Sequence, residues 1–218
     1  MDDLVIELFI GRDPQDLIDL AAKHQHLYQR NLSTVTTKVR SKDLVRALEI
    51  VSEQNRPNFE VPVDMELIQR DVMKIIPILQ ASFPRAEDLF ELFLRRSNRH
   101  IQFLSIMYEQ QSKEPLDTAI RKSGLSQIAR DVCIHAVRTA TNMTYRDAML
   151  LRNALLTVGT KKGKLAIAIR VIRMQFYKRH WMQIKAEFVG VTGIDFRSKM
   201  NNLSEGVFRD LMSAMARV

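Results

Sequence analysis

The amino-acid sequence predicts an all-α protein built from a repeated helical unit. Three observations carry that expectation. Only seven glycines and six prolines occur in 218 residues, too few turn formers for a β fold. Eleven methionines, with abundant Leu, Ala, Lys and Arg, favour helix. Apolar residues recur at helical spacing along almost the whole chain.

The elements follow in order. Asp13-Pro14 reads as an N-cap followed by proline at the first helical position, and Leu17, Leu20, His24 and Leu27 continue the helix. Phe59 to Val63 is the only strand-like stretch, inside a Pro/Asn-rich connection. Ile68, Val72, Ile75 and Leu79 mark the next helix, with Pro77 inside it. Leu89, Phe90, Phe93 and Leu94 mark a short one, begun by Glu87 and Asp88, whose charges suit a helix N-terminus. Ile101, Leu104 and Tyr108 mark another, and Met149 to Leu156 is again helical.

The chain is also self-similar. Leu17, Leu20, His24, Leu32, Leu44 and Leu48, shifted by 84, become Ile101, Leu104, Tyr108, Leu116, Ile128 and Val132. A further shift of 80 gives Trp181, Ile184, Phe188, Phe196, Phe208 and Met212. Three copies in one register make a repeat, each with a long helix, a short helix, and a last helix starting near Ser41, Ser126 or Ser204. Each unit is expected to hold four or five short helices.

The totals exclude several classes. A chain 46% hydrophobic and 27% charged is globular. A single cysteine, Cys133, excludes an intramolecular disulfide or a thiolate zinc cluster. No apolar run reaches the ~18 residues of a membrane span, and the N-terminal Met1-Asp2-Asp3 is acidic where a secretory signal is basic. A reducing compartment, the cytoplasm, is the expected location. The net charge of +8 is uneven: residues 143–218 hold 14 basic and 5 acidic side chains, the first 142 hold 19 and 20. The basic C-terminal third suggests an anionic partner.

Several residues carry a stronger resemblance. Gly11-Arg12-Asp13-Pro14 and Arg96-Ser97-Asn98 look like an Arg followed by a polar turn between two helices. His26-Leu27-Tyr28-Gln29-Arg30-Asn31-Leu32, Leu203-Ser204-Glu205-Gly206-Val207-Phe208-Arg209, Val63-Asp64-Met65-Glu66-Leu67 with Asp71, and Gly159-Thr160 add further segments. In this combination the chain resembles the annexin family, whose repeats have five helices, A to E. The resemblance covers essentially all of the chain. It implies an annexin-like array of three repeats: 1–54 lacking helix A, a linker at 55–64, and two repeats at 65–141 and 142–218. The last copy departs from the pattern, being about four residues longer between helices B and C and lacking the Arg-turn. If the incomplete first repeat reflects a cut, an apolar face is expected near Leu4, Ile6 and Leu8.

The resemblance implies calcium-mediated binding to anionic phospholipid. Carbonyls of a Gly-rich A–B loop and a bidentate acid from the D–E loop would hold the ion. The matching acid positions here are Val39, Ser123 and Leu203, none a carboxylate. The middle A–B loop, Ala81-Ser82-Phe83-Pro84-Arg85, has no glycine. The last keeps Gly159-Thr160, but Thr157 replaces a glycine, and Lys161 and Lys162 replace acids and oppose a dication. At most one weak calcium site is expected, at Gly159, Thr160 and Glu205. The loops are instead basic: Lys38, Arg40 and Lys42; Arg85 beside the apolar Phe83; Arg121 and Lys122; and Lys161, Lys162 and Lys164. These are expected to meet acidic phospholipid directly, at about 1 kcal/mol for each basic group near the surface. A merely solvated basic surface is the plain alternative.

Other signals weigh less. Gly159-Thr160-Lys161-Lys162-Gly163-Lys164-Leu165 is one residue short of a phosphate loop and has Leu165 where the magnesium-binding hydroxyl belongs. His24/His26 and Cys133/His135 are two apart and diverge on a helix. His24, Cys133 and Trp181 are expected in or near the core. Arg170 to Lys185 is basic with interleaved Phe176, Tyr177 and Trp181, which allows nucleic-acid binding. The preferred reading packs Ile169, Ile172, Phe176 and Trp181 and turns Arg170, Arg173, Lys178 and Arg179 to water. No catalytic constellation occurs. The expected function is non-enzymatic peripheral membrane binding; the alternatives are a protein-interaction scaffold and nucleic-acid binding.

Overall fold

A computed structural model of the chain describes residues 2–32, 34, 39–53, 56–57, 61–175, 178–203 and 206–215. These residues form thirteen α-helices and no strand. Phe59 lies outside the described residues, and 61–63 are irregular. The chain divides into two compact units, residues 1–141 and 142–218.

The first unit holds α1 (Asp2–Phe9), α2 (Pro14–Tyr28), α3 (Lys42–Ser52), α4 (Met65–Gln80), α5 (Ala86–Phe93), α6 (Asn98–Ser112), α7 (Leu116–Lys122) and α8 (Gln127–Thr141). The repeat register holds to the residue: α1 shifted by 84 is α5, and α2 shifted by 84 is α6. Local chemistry sets the boundaries. Asp64 caps α4, its carboxylate accepting from the amides of Glu66 and Leu67 at 3.0 Å. Ser97 caps α6, accepting from the His100 amide at 3.1 Å. Pro77 sits in the last turn of α4, so it removes a single donor and the helix still reaches Gln80.

The two halves of this unit pack reciprocally. The third helix of the first half, α3, lies against α5 and α8, while α1 lies against α8. Across the seam Arg46 pairs with Glu87 at 2.8 Å and Glu91 at 3.4 Å, and Arg95 pairs with Glu53 at 2.6 Å. Within the second half α4 packs on α6, and α6 and α7 pack on α8. One expectation changes here. Ile6 is buried and Leu4 and Leu8 are half-buried, because α1 is held between α3 and α8. The neighbouring α2 does expose apolar side chains, Ile18, Leu27 and Tyr28, since it buries Leu17 alone.

The second unit holds α9 (Met143–Leu155), α10 (Lys161–Gln175), α11 (Lys178–Thr192), α12 (Phe196–Leu203) and α13 (Gly206–Met215). Here α11 is α6 shifted by 80, and α12 begins 80 residues after α7. Trp181 and Phe188 both meet the Phe196 ring edge-on, at 5.9 and 5.5 Å between centroids. The 15-residue α10 replaces the 8-residue α5 and absorbs the extra residues before the third helix of the repeat. None of the three sets of six register positions is exposed; His24 is half-buried, with Nδ1 2.8 Å from the Arg30 carbonyl.

One reading from the sequence is reversed in α10. Ile169 and Ile172 are exposed, whereas Arg170 is buried. The core side of this helix is Gly163, Ile167, Arg170, Val171 and Met174, a single helical face. Phe176 and the side chains of Lys178 and Arg179 lie outside the described residues.

Candidate functional site

The candidate membrane loops lie at helix ends, where side chains reach solvent without disturbing a packed face. In the first unit three of them meet. A Cβ added to Gly124 would stand 2.4 Å from the Ser82 carbonyl oxygen, so loop 81–85 lies directly on turn 123–126. Ser126 caps α8, accepting from the Ala129 amide at 3.1 Å, and its hydroxyl donates to Asp43 at the start of α3. Segments 40–43, 81–85 and 121–126 therefore share one edge of the unit.

That edge carries Arg40, Lys42, Phe83, Arg85, Arg121 and Lys122, all exposed. Phe83 projects furthest, at 93% exposure, where the core demands nothing of it. The charges are unequally free. Lys122 is paired with Glu114. Arg121 and Arg85 reach only loosely to Asp117 and Glu87, each at 3.7 Å. No ion pair to a described residue holds Arg40 or Lys42. Lys38 lies outside the described residues.

In the second unit the loop 156–160 is tied inward. The Thr157 carbonyl accepts from the Thr160 amide at 3.0 Å and from its hydroxyl at 2.9 Å. A Cβ on Gly163 would lie 1.8 Å from that same oxygen, so glycine is what lets the loop fold onto α10. Gly159 and Thr160 remain exposed, as do Lys161 and Lys162 in the first turn of α10. Lys164 is half-buried, its ammonium 5.8 Å above the Phe208 ring.

The positions matching the family's calcium acid offer little to a cation. Val39 is half-buried, and the buried Ser123 donates its hydroxyl to the Ile120 carbonyl at 2.7 Å. Leu203 ends α12, with its side chain outside the described residues, and Glu205 lies outside them altogether. Among the described residues no group of three or more His, Cys, Asp or Glu is placed to hold a metal.

The sequence reading missed the buried ion clusters. Asp71 on α4 is fully buried, 2.7 Å from Arg96 and 3.0 Å from His100 at the start of α6. Asp147 on α9 is likewise buried, 2.7 Å from Arg146, 3.6 Å from Arg173 and 3.1 Å from His180 on α11. Burial drives the Asp147 carboxyl up, but His180, Arg146 and Arg173 together hold it below the ordinary range. Burial lowers His100, outweighing the attraction of Asp71. His100 and His180 occupy one register position, so the 80-residue shift contained the signal. Arg56 is a third tie, donating to the Arg96 carbonyl at 2.8 Å and Asn98 at 2.6 Å; burial brings its pKa down to about 10, against the pull of Asp13. Cys133 is fully buried, which pushes its thiol up and leaves it inert.

The fold matches solved structures over nearly the entire chain. Annexin A8, in a mutant with an intact N-terminus, superposes with a TM-score of 0.84 at 17% identity, covering 99% of this chain and 66% of that one. The chain has the annexin fold. A calcium-bound annexin (Sm)1 aligns with a TM-score of 0.76 at 16% identity, over 99% of this chain and 64% of that one. Mouse annexin A11 is 23% identical over 209 residues, 95% of this annexin-like chain and 40% of the relative's length. No family model matches. No helix among the described residues is long and apolar enough to cross a membrane.

Proposed function

We propose that this annexin-like chain is a non-enzymatic peripheral membrane module that meets acidic phospholipid through basic loops without a bridging calcium ion. The observation that carries the reading is the edge of the first unit, where Arg40 and Lys42 stand without partners among the described residues beside the protruding Phe83. Cations contact lipid phosphate, and an aromatic tip enters the headgroup layer. Arg85, Arg121 and Lys122 surround them, and Lys161 and Lys162 add a second basic loop at a helix N-terminus. The donor set does not fit calcium. Val39 and Ser123 supply no carboxylate, and the Thr157 carbonyl already accepts two hydrogen bonds. The proposed organisation is a first repeat at 1–54, a linker at 55–64 and repeats at 65–141 and 142–218.

Sedimentation with phosphatidylserine vesicles in EDTA at low salt tests this. Pelleting is expected, with loss on raising salt and at least about fivefold weaker partitioning for each of Arg40→Glu, Lys42→Glu, Lys161→Glu and Lys162→Glu, given about 1 kcal/mol per basic group removed. Phe83→Ala should weaken binding at high salt as well. A chain that pellets only with calcium, or ignores all five substitutions, defeats the proposal. Nucleic-acid binding loses support, because Arg170 is buried and Arg173 turns to Asp147. The scaffold reading keeps one favourable observation, the exposed Ile18, Leu27 and Tyr28 on α2.

A further inference from the structure

Resting on the reading that the edge of the first unit meets acidic phospholipid, we propose that this edge clamps clustered phosphomonoesters, two or more on one ring as in a phosphorylated inositol headgroup, through Arg40, Arg85 and Arg121. Three loops build the edge, and each brings one arginine. Arg40 comes from the segment before α3, Arg85 from the turn before α5, and Arg121 from the last turn of α7. The loops are held against one another. Gly124 lies on the Ser82 carbonyl, and a Cβ added to it would also stand 3.1 Å from Pro84 Cδ. The Ser126 hydroxyl donates to Asp43, on the same segment as Arg40. The three arginines therefore project from one preorganised support, which lowers the entropy lost on closing around a single ligand.

Their charge is available to a ligand. Glu87 pairs with Arg46 at 2.8 Å, and Arg85 reaches it only at 3.7 Å. Asp117 accepts from two nitrogens of Arg138, at 2.7 and 3.1 Å, and Arg121 stands 3.7 Å away. Arg85 and Arg121 are thus surplus cations, each beside a carboxylate that another arginine has already neutralised. Arg40 has no ion pair to a described residue. Lys122, by contrast, is engaged by Glu114.

The residue type decides the ligand class. A guanidinium is a planar fork of donors that matches two phosphate oxygens at once, whereas an ammonium is a point charge. A diffuse anionic surface needs only the charge, and lysine serves it equally. The basic loop of the second unit, with Lys161 and Lys162 at the start of α10, is of that plainer kind. Phosphatidylserine offers a single phosphodiester and a carboxylate, alongside an ammonium that repels cations. A bisphosphorylated inositol ring presents phosphomonoesters side by side, with enough oxygens for three forks. One arginine on each of three touching loops suits the second headgroup.

Sedimentation of the whole chain in EDTA compares phosphatidylcholine vesicles carrying phosphatidylinositol bisphosphate with phosphatidylserine vesicles of equal total charge. Partitioning at least about tenfold tighter on the bisphosphate is expected. The triple variant Arg40→Lys/Arg85→Lys/Arg121→Lys keeps every charge. It should lose that preference and leave phosphatidylserine partitioning unchanged. All three positions are exposed, and helical circular dichroism verifies that the variant folds. Calorimetry with soluble inositol trisphosphate reads the clamp without a membrane, and about tenfold weaker binding by the triple variant is expected. Equal partitioning on the two vesicles, a preference that the triple variant retains, or failure to bind the trisphosphate overturns the inference. If neither vesicle pellets the chain, the membrane reading fails, and the trisphosphate titration alone decides the clamp: binding that the triple variant loses upholds it with a free inositol phosphate as the ligand, and binding that the variant keeps overturns it.

Discussion

Asp71 and Asp147 show what a buried carboxylate does in this chain. Each is removed from water, at a cost that is offset by converging Arg and His donors. Removing the anion alone leaves those cations uncompensated. Asp71→Asn and Asp147→Asn should each destabilise by about 3 kcal/mol in urea unfolding, whereas neutralising the solvated Lys42 should change stability by less than about 0.5 kcal/mol. The same clusters set a pH dependence. His100 has a folded pKa below its ordinary 6.5, so the unfolded state binds the proton more tightly. Its contribution is complete above pH 6.5 and is lost as pH falls from there toward the folded value. Asp147 is held below 3.8, so its contribution persists to lower pH and is lost only as pH falls through that depressed value. Urea midpoints measured from pH 8 to 4 should decline first from His100, and His100→Asn should flatten that early decline.

At the scale of the element, periodicity did most of the work, and close approach did the rest. The long helix α2 repeats in α6 and α11 without a residue of slippage, because 84- and 80-residue shifts preserve the apolar face. Trp181 sits on that face at 1% exposure, so Trp181→Ala should cost about 4 kcal/mol through an unfilled cavity, read by thermal or urea unfolding. Gly163 marks the tightest junction. Gly163→Ala must displace the Thr157 carbonyl, and about 2 kcal/mol of destabilisation is expected, with altered exchange of the Thr160 amide. In α10 hydropathy alone misassigned the faces: it placed Ile169 and Ile172 inward and Arg170 outward. The helix turns the other way, packing Ile167 and Val171 inward with Arg170 on the same side.

Over the whole molecule, the charge asymmetry divides by role. The C-terminal excess of basic residues is not one patch. Arg146 and Arg173 neutralise Asp147, Lys164 lies over Phe208, and Lys161 and Lys162 remain exposed. The near-neutral first unit also carries an exposed cationic edge, while acids such as Glu87 and Glu53 are engaged elsewhere, with Arg46 and Arg95. The sequence by itself determined the helical class, the three-copy register and the absence of acids at Val39, Ser123 and Leu203, since composition and spacing are one-dimensional properties. Only the tertiary structure decided which charges are spent and which face water. Asp71 meets a cation 25 residues away and Asp147 a histidine 33 residues away. No local pattern encodes a pair at that separation, and its strength depends on burial that only packing creates.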